Sequence, residues 1–293
     1  RGRVSFEGML VDRLGGVTLN GNLQDAAVTL FGQQLNETSA SWYLARTSAG
    51  QGRAAFRELY GKVHGGTATT QAQLQFDRQQ AQYQVATSIQ NVQLASWLES
   101  WQSRNPAPDD QSVGPRREKP SDVRGVMDAQ LHLAGVVNNP ASRTGGGRVE
   151  IRDGYIYKLP IFLAILNVLD ITIPNNDVLS EAHGQFYVTG NTARLTDIAV
   201  TGESLSLVGT GTMSLHDQSV DLTLVNAGAG RLARVPVLAE LWEGASRELV
   251  ELHVTGPVSQ PMVRASPIRG VTDEFKKLFQ KRKPKRTLQA VNP

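Results

Sequence analysis

A short helix without a polar face is the feature that most constrains the fold of this chain. Residues 161–169 read IFLAILNVL and follow Leu159-Pro160, so large aliphatic side chains would point to nearly every side of the helix. Such a helix must lie in a protein core, in a membrane or against lipid. At about a dozen residues, 160–171 is too short to span a bilayer, which needs about 20. The rest of the chain must therefore supply an apolar surface that covers it.

Most of the remaining chain alternates apolar and polar residues, which is typical of strands in a sheet with one apolar and one solvated face. The alternating segments are 4–6, 17–19, 28–30, 42–44, 54–56, 74–76, 85–89, 126–133, 149–151, 155–157, 184–189, 195–201, 205–215, 220–225 and 251–255. Glycine-containing turns are predicted at 15–16, 21–22, 65–66 and 145–147. The pattern predicts a mainly β protein.

Two further short helices are predicted. Leu94, Trp97, Leu98 and Trp101 fall at the spacing of one helical face, which favours a helix packed on an end of the sheet. A second apolar stripe predicts a helix over 236–249, with Pro236 at its start. Residues 271–281 have the pattern of a short amphipathic helix.

The chain divides into four parts on composition. Residues 1–103 form a β-meander, and 104–122 are a linker with four prolines, mixed charges and few large apolar residues. Such a linker cannot bury enough surface to offset its ordering entropy and is predicted to be disordered. Residues 123–268 form a second β region, and 269–293 form a basic tail.

The positive charge of the chain is concentrated in this tail. The formal net charge is +3, but the seven basic and two acidic residues after Gly270 contribute +5, which leaves −2 for residues 1–270. The basic residues are Lys276, Lys277, Lys281, Arg282, Lys283, Lys285 and Arg286. Because the body is not basic, nucleic acid is not expected as a partner. Lysines and arginines beside Phe275, Leu278 and Phe279 favour a membrane surface, and a solubilising terminus is the alternative.

The sequence contains no pattern that predicts catalysis. It has no cysteine, which excludes disulfides, cysteine-ligated zinc and a thiol nucleophile. Its five histidines are not at metal-ligand spacing, so neither a metal nor a cofactor is predicted. The glycines at 145–147 and 209–211 precede strands rather than helices, so they are interpreted as turns or tight strand crossings and not as phosphate loops.

A turn-and-strand segment occurs twice. Residues 50–60, GQGRAAFRELY, align without gaps on 145–155, GGGRVEIRDGY. Repetition of a strand unit suggests an extended sheet in which each unit contacts its neighbours.

The order of motifs resembles the C-terminal region of AsmA-like proteins. The corresponding features are the glycine-rich segment 145–149, Asp153-Gly154, Leu159-Pro160 and the apolar helix, followed by strands at 186–189 and 195–200 and by 204–211. The closing segments 235–236, 254–256, 261–263 and 266–267 also look similar. The resemblance covers about residues 50–268, and the basic tail lies outside the family pattern.

The resemblance implies an elongated, twisted, mostly antiparallel sheet curled into an open groove, with two or three short capping helices. It implies a non-enzymatic protein of the periplasm or cell envelope of a diderm bacterium, anchored through a segment upstream of Arg1. Family members are thought to hold or conduct phospholipid acyl chains between the inner and outer membranes and so support outer-membrane biogenesis.

On this hypothesis the groove is lined by apolar strand residues together with residues of the apolar helix. The candidates are Val149, Ile151, Ile156, Phe162, Leu163, Leu166, Phe186, Val188, Leu205, Leu207, Leu222 and Leu224. Ordinary core packing is the alternative for each of them. For the whole protein, one alternative is a structural or regulatory periplasmic scaffold whose groove is filled by its own side chains. Another is a glycan hydrolase, which would need two converging carboxylates.

Overall fold

The chain folds into one antiparallel sheet. The computed structural model describes residues 3–11, 16–30, 32–104, 123–170, 180–202, 205–226 and 250–267. Fourteen strands in these ranges pair in the order of the sequence. They are β1 Arg3–Val11, β2 Val17–Leu30, β3 Gln33–Arg46, β4 Gly52–Val63, β5 Gly66–Phe76, β6 Ala81–Gln93, β7 Val126–Val136, β8 Asn139–Arg152, β9 Glu181–Thr189, β10 Thr192–Thr201, β11 Ser206–Ser214, β12 Ser219–Asn226, β13 Val250–Pro257 and β14 Met262–Pro267.

The predicted mainly β, antiparallel and open sheet is confirmed. At about 4.8 Å between neighbouring strands, fourteen strands make a sheet about 60 Å wide. The strands β1 and β14 are the two edges of the described sheet. The strands β6 and β7, which lie on either side of the predicted linker, pair with each other. The two β regions of the sequence therefore form one continuous sheet.

Two short helices lie at one end of the strands. Helix α1 spans Leu94–Arg104 and directly follows β6, and helix α2 spans Pro160–Val168 with its proline at the start. Leu159 is extended and Asp170 has φ 52°, which ends the helix in the left-handed region. The predicted strand at 155–157 is wrong, because Ile156–Lys158 form a 3₁₀ turn that leads into α2. Residue 171, the predicted helix at 236–249, the linker residues 105–122 and the tail 269–293 lie outside the described ranges.

The register of the strands separates the sheet into an apolar face and a polar face. One row of directly paired residues on the apolar face crosses ten strands and is called the central row. It consists of Thr70, Thr87, Leu131, Gly147, Phe186, Leu195, Gly211, Leu222, Val254 and Val263. On the opposite side, the polar face carries the neighbouring row of Thr69, Ser88, Gln130, Arg148 and Gln185.

Bulges keep apolar residues on one face where the sequence does not alternate strictly. Leu195 pairs with Phe186 and Ile198 pairs with Gly184, although the two residues of β10 are three positions apart. The same spacing occurs at Phe56 and Leu59 in β4 and at Ile89 and Val92 in β6, each across a register shift. An extra residue in a strand reverses the side to which the following side chains point. The bulges therefore return each strand to the common apolar face.

Glycines inside the strands accommodate large side chains of the neighbouring strand. Residues 145–147 lie within β8, so the turn predicted there is wrong. A Cβ at Gly147 would overlap the carbonyl oxygen of Gln130 and would lie 2.7 Å from Cζ of Phe186. At Gly211 it would lie 2.7 Å from Cδ2 of Leu222. Gly147 and Gly211 therefore lie where neighbouring strands approach tightly, which is the second interpretation that the sequence allows.

Turn chemistry was predicted correctly at one glycine pair and wrongly at another. His64 and Gly65 connect β4 to β5 with φ values of 44° and 80°, as a two-residue type I′ turn requires. Gly21-Asn22, in contrast, lies inside β2, where Gly21 pairs with Trp42 on the apolar face. A glycine beside an aromatic residue on the next strand is the arrangement also found at Gly147.

We expect Gly147→Ala to destabilise the protein by about 1–3 kcal/mol, because the new methyl group would force Phe186 and the β7 backbone apart. Urea unfolding measured by circular dichroism checks this. Gly184→Ala is the matched control, since its Cβ would meet only the Asp197 carbonyl oxygen at 3.8 Å. Equal unfolding midpoints for the two variants would contradict the tight crossing at β8.

Candidate functional site

The register gathers the candidate groove residues of the strands on the apolar face. Phe186 and Leu222 lie in the central row, Val149 and Val188 lie in the rows on either side of it, and Ile151 lies one row beyond Val149. The remaining strand candidates, Leu207 and Leu224, face the same side, and Leu205 lies two residues before Leu207. Residues that are up to 75 positions apart in sequence therefore line one surface.

Burial divides the candidate residues into two groups. Ile156, Leu166, Val188, Leu205, Leu207, Leu222 and Leu224 are buried and pack against other protein groups. The half-buried members are Val149, Ile151, Phe162, Leu163 and Phe186. Only the half-buried group presents surface to a ligand in this conformation.

Helix α2 covers the apolar face at the ends of the later strands. Ile156 of the 3₁₀ turn and Ile165 and Leu166 of α2 belong to the same core cluster as Leu207 and Leu252. Ile165 and Ile156 are fully buried, and Leu166 is 1% exposed. One face of the apolar helix is therefore buried against the sheet, while Phe162 and Leu163 remain half-buried and Val168 is 41% exposed.

Helix α1 covers the same end of the strands over the first half of the sheet. Leu94 is buried with Val63 and Val92, and Trp97 packs against this cluster. The ring of Trp97 meets His64 edge-on with centroids 6.0 Å apart. Nε2 of His64 lies 2.7 Å from Oε1 of the buried Gln33. These contacts hold α1 against the β4–β5 turn.

Away from the helices, the apolar face is left half-exposed between β4 and β9. Leu74, Val85, Leu131 and Leu133 are half-buried, and Phe56 is 40% exposed. On the same strands the polar-face residues are exposed, with few exceptions. This half-exposed surface is called the apolar trough. It is bounded along one side by α1 and α2.

Sequence reasoning did not predict the concave surface on the polar face. A shallow cavity of ≈ 580 Å³ is lined mainly by polar-face residues, such as Gln71, His132 and Tyr187, and its lining also includes Thr87, Leu131, Gly147 and Phe186 of the central row. A neighbouring cavity of ≈ 360 Å³ is lined by residues that include Asp128 and Glu150. The one available signal was the Phe186-Tyr187 pair, because adjacent strand residues point to opposite faces and one large aromatic had to face the polar side.

Ionic contacts on the polar face link neighbouring strands. Asp128 of β7 forms an ion pair with Arg152 of β8 and accepts the backbone N–H of Asn91 at 2.7 Å. Nε2 of His183 lies 3.7 Å from a carboxylate oxygen of Asp197. These exposed or half-buried pairs contribute little to stability individually.

The described residues contain no cluster of three or more His, Cys, Asp or Glu side chains that could hold a metal ion. Within the same ranges, no helix has the length and hydropathy needed to cross a membrane. The predicted membrane-surface residues between Lys276 and Arg286 lie outside the described ranges.

Comparison with known proteins gives no relative. No protein-family model matches the chain, and no curated protein and no solved structure matches it either.

Leu166→Ala should lower the free energy of unfolding by about 2–5 kcal/mol, because it leaves a cavity where α2 packs on the sheet. Chemical denaturation followed by tryptophan fluorescence measures the loss. Val168→Ala, on the same helix but 41% exposed, is expected to change stability by less than about 0.5 kcal/mol. Equal losses of unfolding free energy for the two variants would contradict the packing of Leu166 against the sheet.

Proposed function

We propose that the protein is a non-enzymatic component of the bacterial cell envelope that holds or conducts phospholipid acyl chains in the apolar trough. On this proposal it contributes to outer-membrane biogenesis, resides in the periplasm and contacts the inner or outer membrane surface. The biological setting rests on the resemblance to AsmA-like proteins. The ligand class rests on the half-exposed apolar surface between β4 and β9.

The exposure of this surface is the observation that carries the proposal. Monomeric proteins rarely leave contiguous apolar surface larger than a few hundred Å² uncovered, and larger patches mark binding sites or membrane contacts. In the trough, Leu131 and Phe186 lie side by side in the central row with only Gly147 between them. Phe56 extends the same surface to β4.

Binding would be passive. Each methylene group that an acyl chain moves from water into the trough contributes about 0.8 kcal/mol. The helices close one side of the trough, so an extended chain would lie across the strands. The half-exposed strands β4–β9 give this position a length of five strand spacings, or about 24 Å. Direction would have to come from membranes or partner proteins.

Burial in the later strands favours a second reading for that part of the sheet. Leu207, Leu222, Leu224, Leu252 and Val254 are buried, so their surface is already filled by protein. This supports a structural, scaffold-like role for β11–β13. On this proposal, acyl chains bind only over the half-exposed strands β4–β9.

A pair of neighbouring substitutions tests the proposal. Leu131→Glu places a charge in the apolar trough, whereas Gln130→Glu places the same charge on the polar face of the same strand. We expect the first to weaken binding of a fluorescent fatty acid by about tenfold or more, since an acyl chain would meet a charged group. The second should leave affinity within about twofold.

Circular dichroism spectra and urea midpoints verify that both variants fold. Native mass spectrometry of the wild-type protein purified from membranes provides a readout that needs no variant. A co-purified mass matching phospholipid supports the proposal. Absence of bound lipid together with equal fatty-acid affinity of the two variants would refute it.

A further inference from the structure

The two cavities of the polar face form one continuous groove. They share Ser88, Gln130, Arg148 and Gln185, which lie side by side in one row of paired residues. From β5 to β9 this groove, called the polar groove, crosses four strand spacings, or about 19 Å. It lies on the opposite side of the sheet from the apolar trough, so its ligand would be independent of any acyl chain.

The lining of the polar groove is rich in groups that both donate and accept hydrogen bonds. The side-chain amides of Gln130 and Gln185 and the hydroxyl groups of Thr69 and Ser88 come from four of the five strands β5–β9, with Arg148 on the remaining one. Amides and hydroxyls can satisfy both the donor and the acceptor of a sugar hydroxyl. A row of them matches a ligand that carries hydroxyl groups along its length.

An exposed aromatic ring lies in the same groove. Tyr187 is 57% exposed and sits beside Gly146, where an added Cβ would lie 3.4 Å from Cδ1 of Tyr187 and 3.5 Å from Cε1 of His132. No side chain of β8 separates the two rings at this position. A tyrosine offers an apolar face together with a polar tip, which suits the C–H face of a pyranose ring.

The charges of the groove balance. Its lining includes two arginines and two acidic residues, Arg148, Arg152, Asp128 and Glu150. One of each forms the Asp128–Arg152 ion pair. A site for a polyanion such as RNA would need an excess of positive charge. The balance favours a neutral ligand.

We infer that the polar groove binds a neutral, extended oligosaccharide, with Tyr187 stacking on one sugar ring and the amides and hydroxyls binding its neighbours. A β-1,4-linked chain has the ribbon-like shape and flat ring faces that such a groove requires. The groove supplies hydrogen bonds and one stacking surface, and it is a binding site rather than a catalytic one.

Isothermal titration calorimetry with cellohexaose and chitohexaose tests this inference on the full chain. We expect saturable binding of at least one hexasaccharide. Tyr187→Ala should weaken it by about tenfold, whereas Tyr187→Phe should retain it because the ring remains. Phe56→Ala, which removes an exposed aromatic from the opposite face, should leave hexasaccharide affinity within about twofold.

No binding of either hexasaccharide would overturn the inference, as would binding that Tyr187→Ala does not weaken. Tighter binding of single-stranded RNA than of the sugars would assign the groove to a polyanion and also overturn it. Circular dichroism and urea midpoints show whether Tyr187→Ala is folded. Fatty-acid binding by wild type and variant, measured in parallel, separates this result from the fate of the acyl-chain proposal.

Discussion

The pairing register of neighbouring strands, corrected at bulges, decides which side chains share a face of the sheet. Because side chains alternate between the faces of a sheet, a one-residue slip anywhere would move a strand's apolar residues to the polar side. The central row passes through ten strands without such a slip. The separation of an apolar face from a polar face follows from this register, and both proposed binding surfaces follow from that separation.

Packing within the sheet protects this register. Phe186 lies over Gly147, and Leu222 lies against Gly211, so a large residue on one strand fits the missing side chain on the next. A shift of β11 by one position would place Thr210 or Thr212 where only a glycine fits. The bulge between Leu195 and Ile198 has the complementary effect, since it restores the apolar face after a break in alternation. The glycine contacts and the bulge together favour a single register between these neighbouring strands.

Alternation made the strands and the fold class predictable, and the isolated apolar run made α2 predictable. The bulges were not predictable, because Phe56 and Leu59, three residues apart, read as a break in the strand pattern. A turn at 145–147 is the wrong prediction because glycine is common in turns, and Phe186, the partner of Gly147 in β9, is distant in sequence. Burial could not be read from composition either, since Leu207 and Phe186 have the same pattern but lie on covered and uncovered strands.

The side chains of each strand alternate between the apolar trough and the polar face, and we propose that only the trough contacts acyl chains. The chain has no cysteine, so single labelling sites can be introduced cleanly. The most direct measurement is electron paramagnetic resonance of spin labels at Gln130→Cys, Leu131→Cys, His132→Cys and Leu133→Cys, before and after fatty-acid addition. We expect fatty acid to immobilise the spin labels at 131 and 133 and to change the mobility of those at 130 and 132 little. Uniform responses, or responses at the even positions, would contradict it.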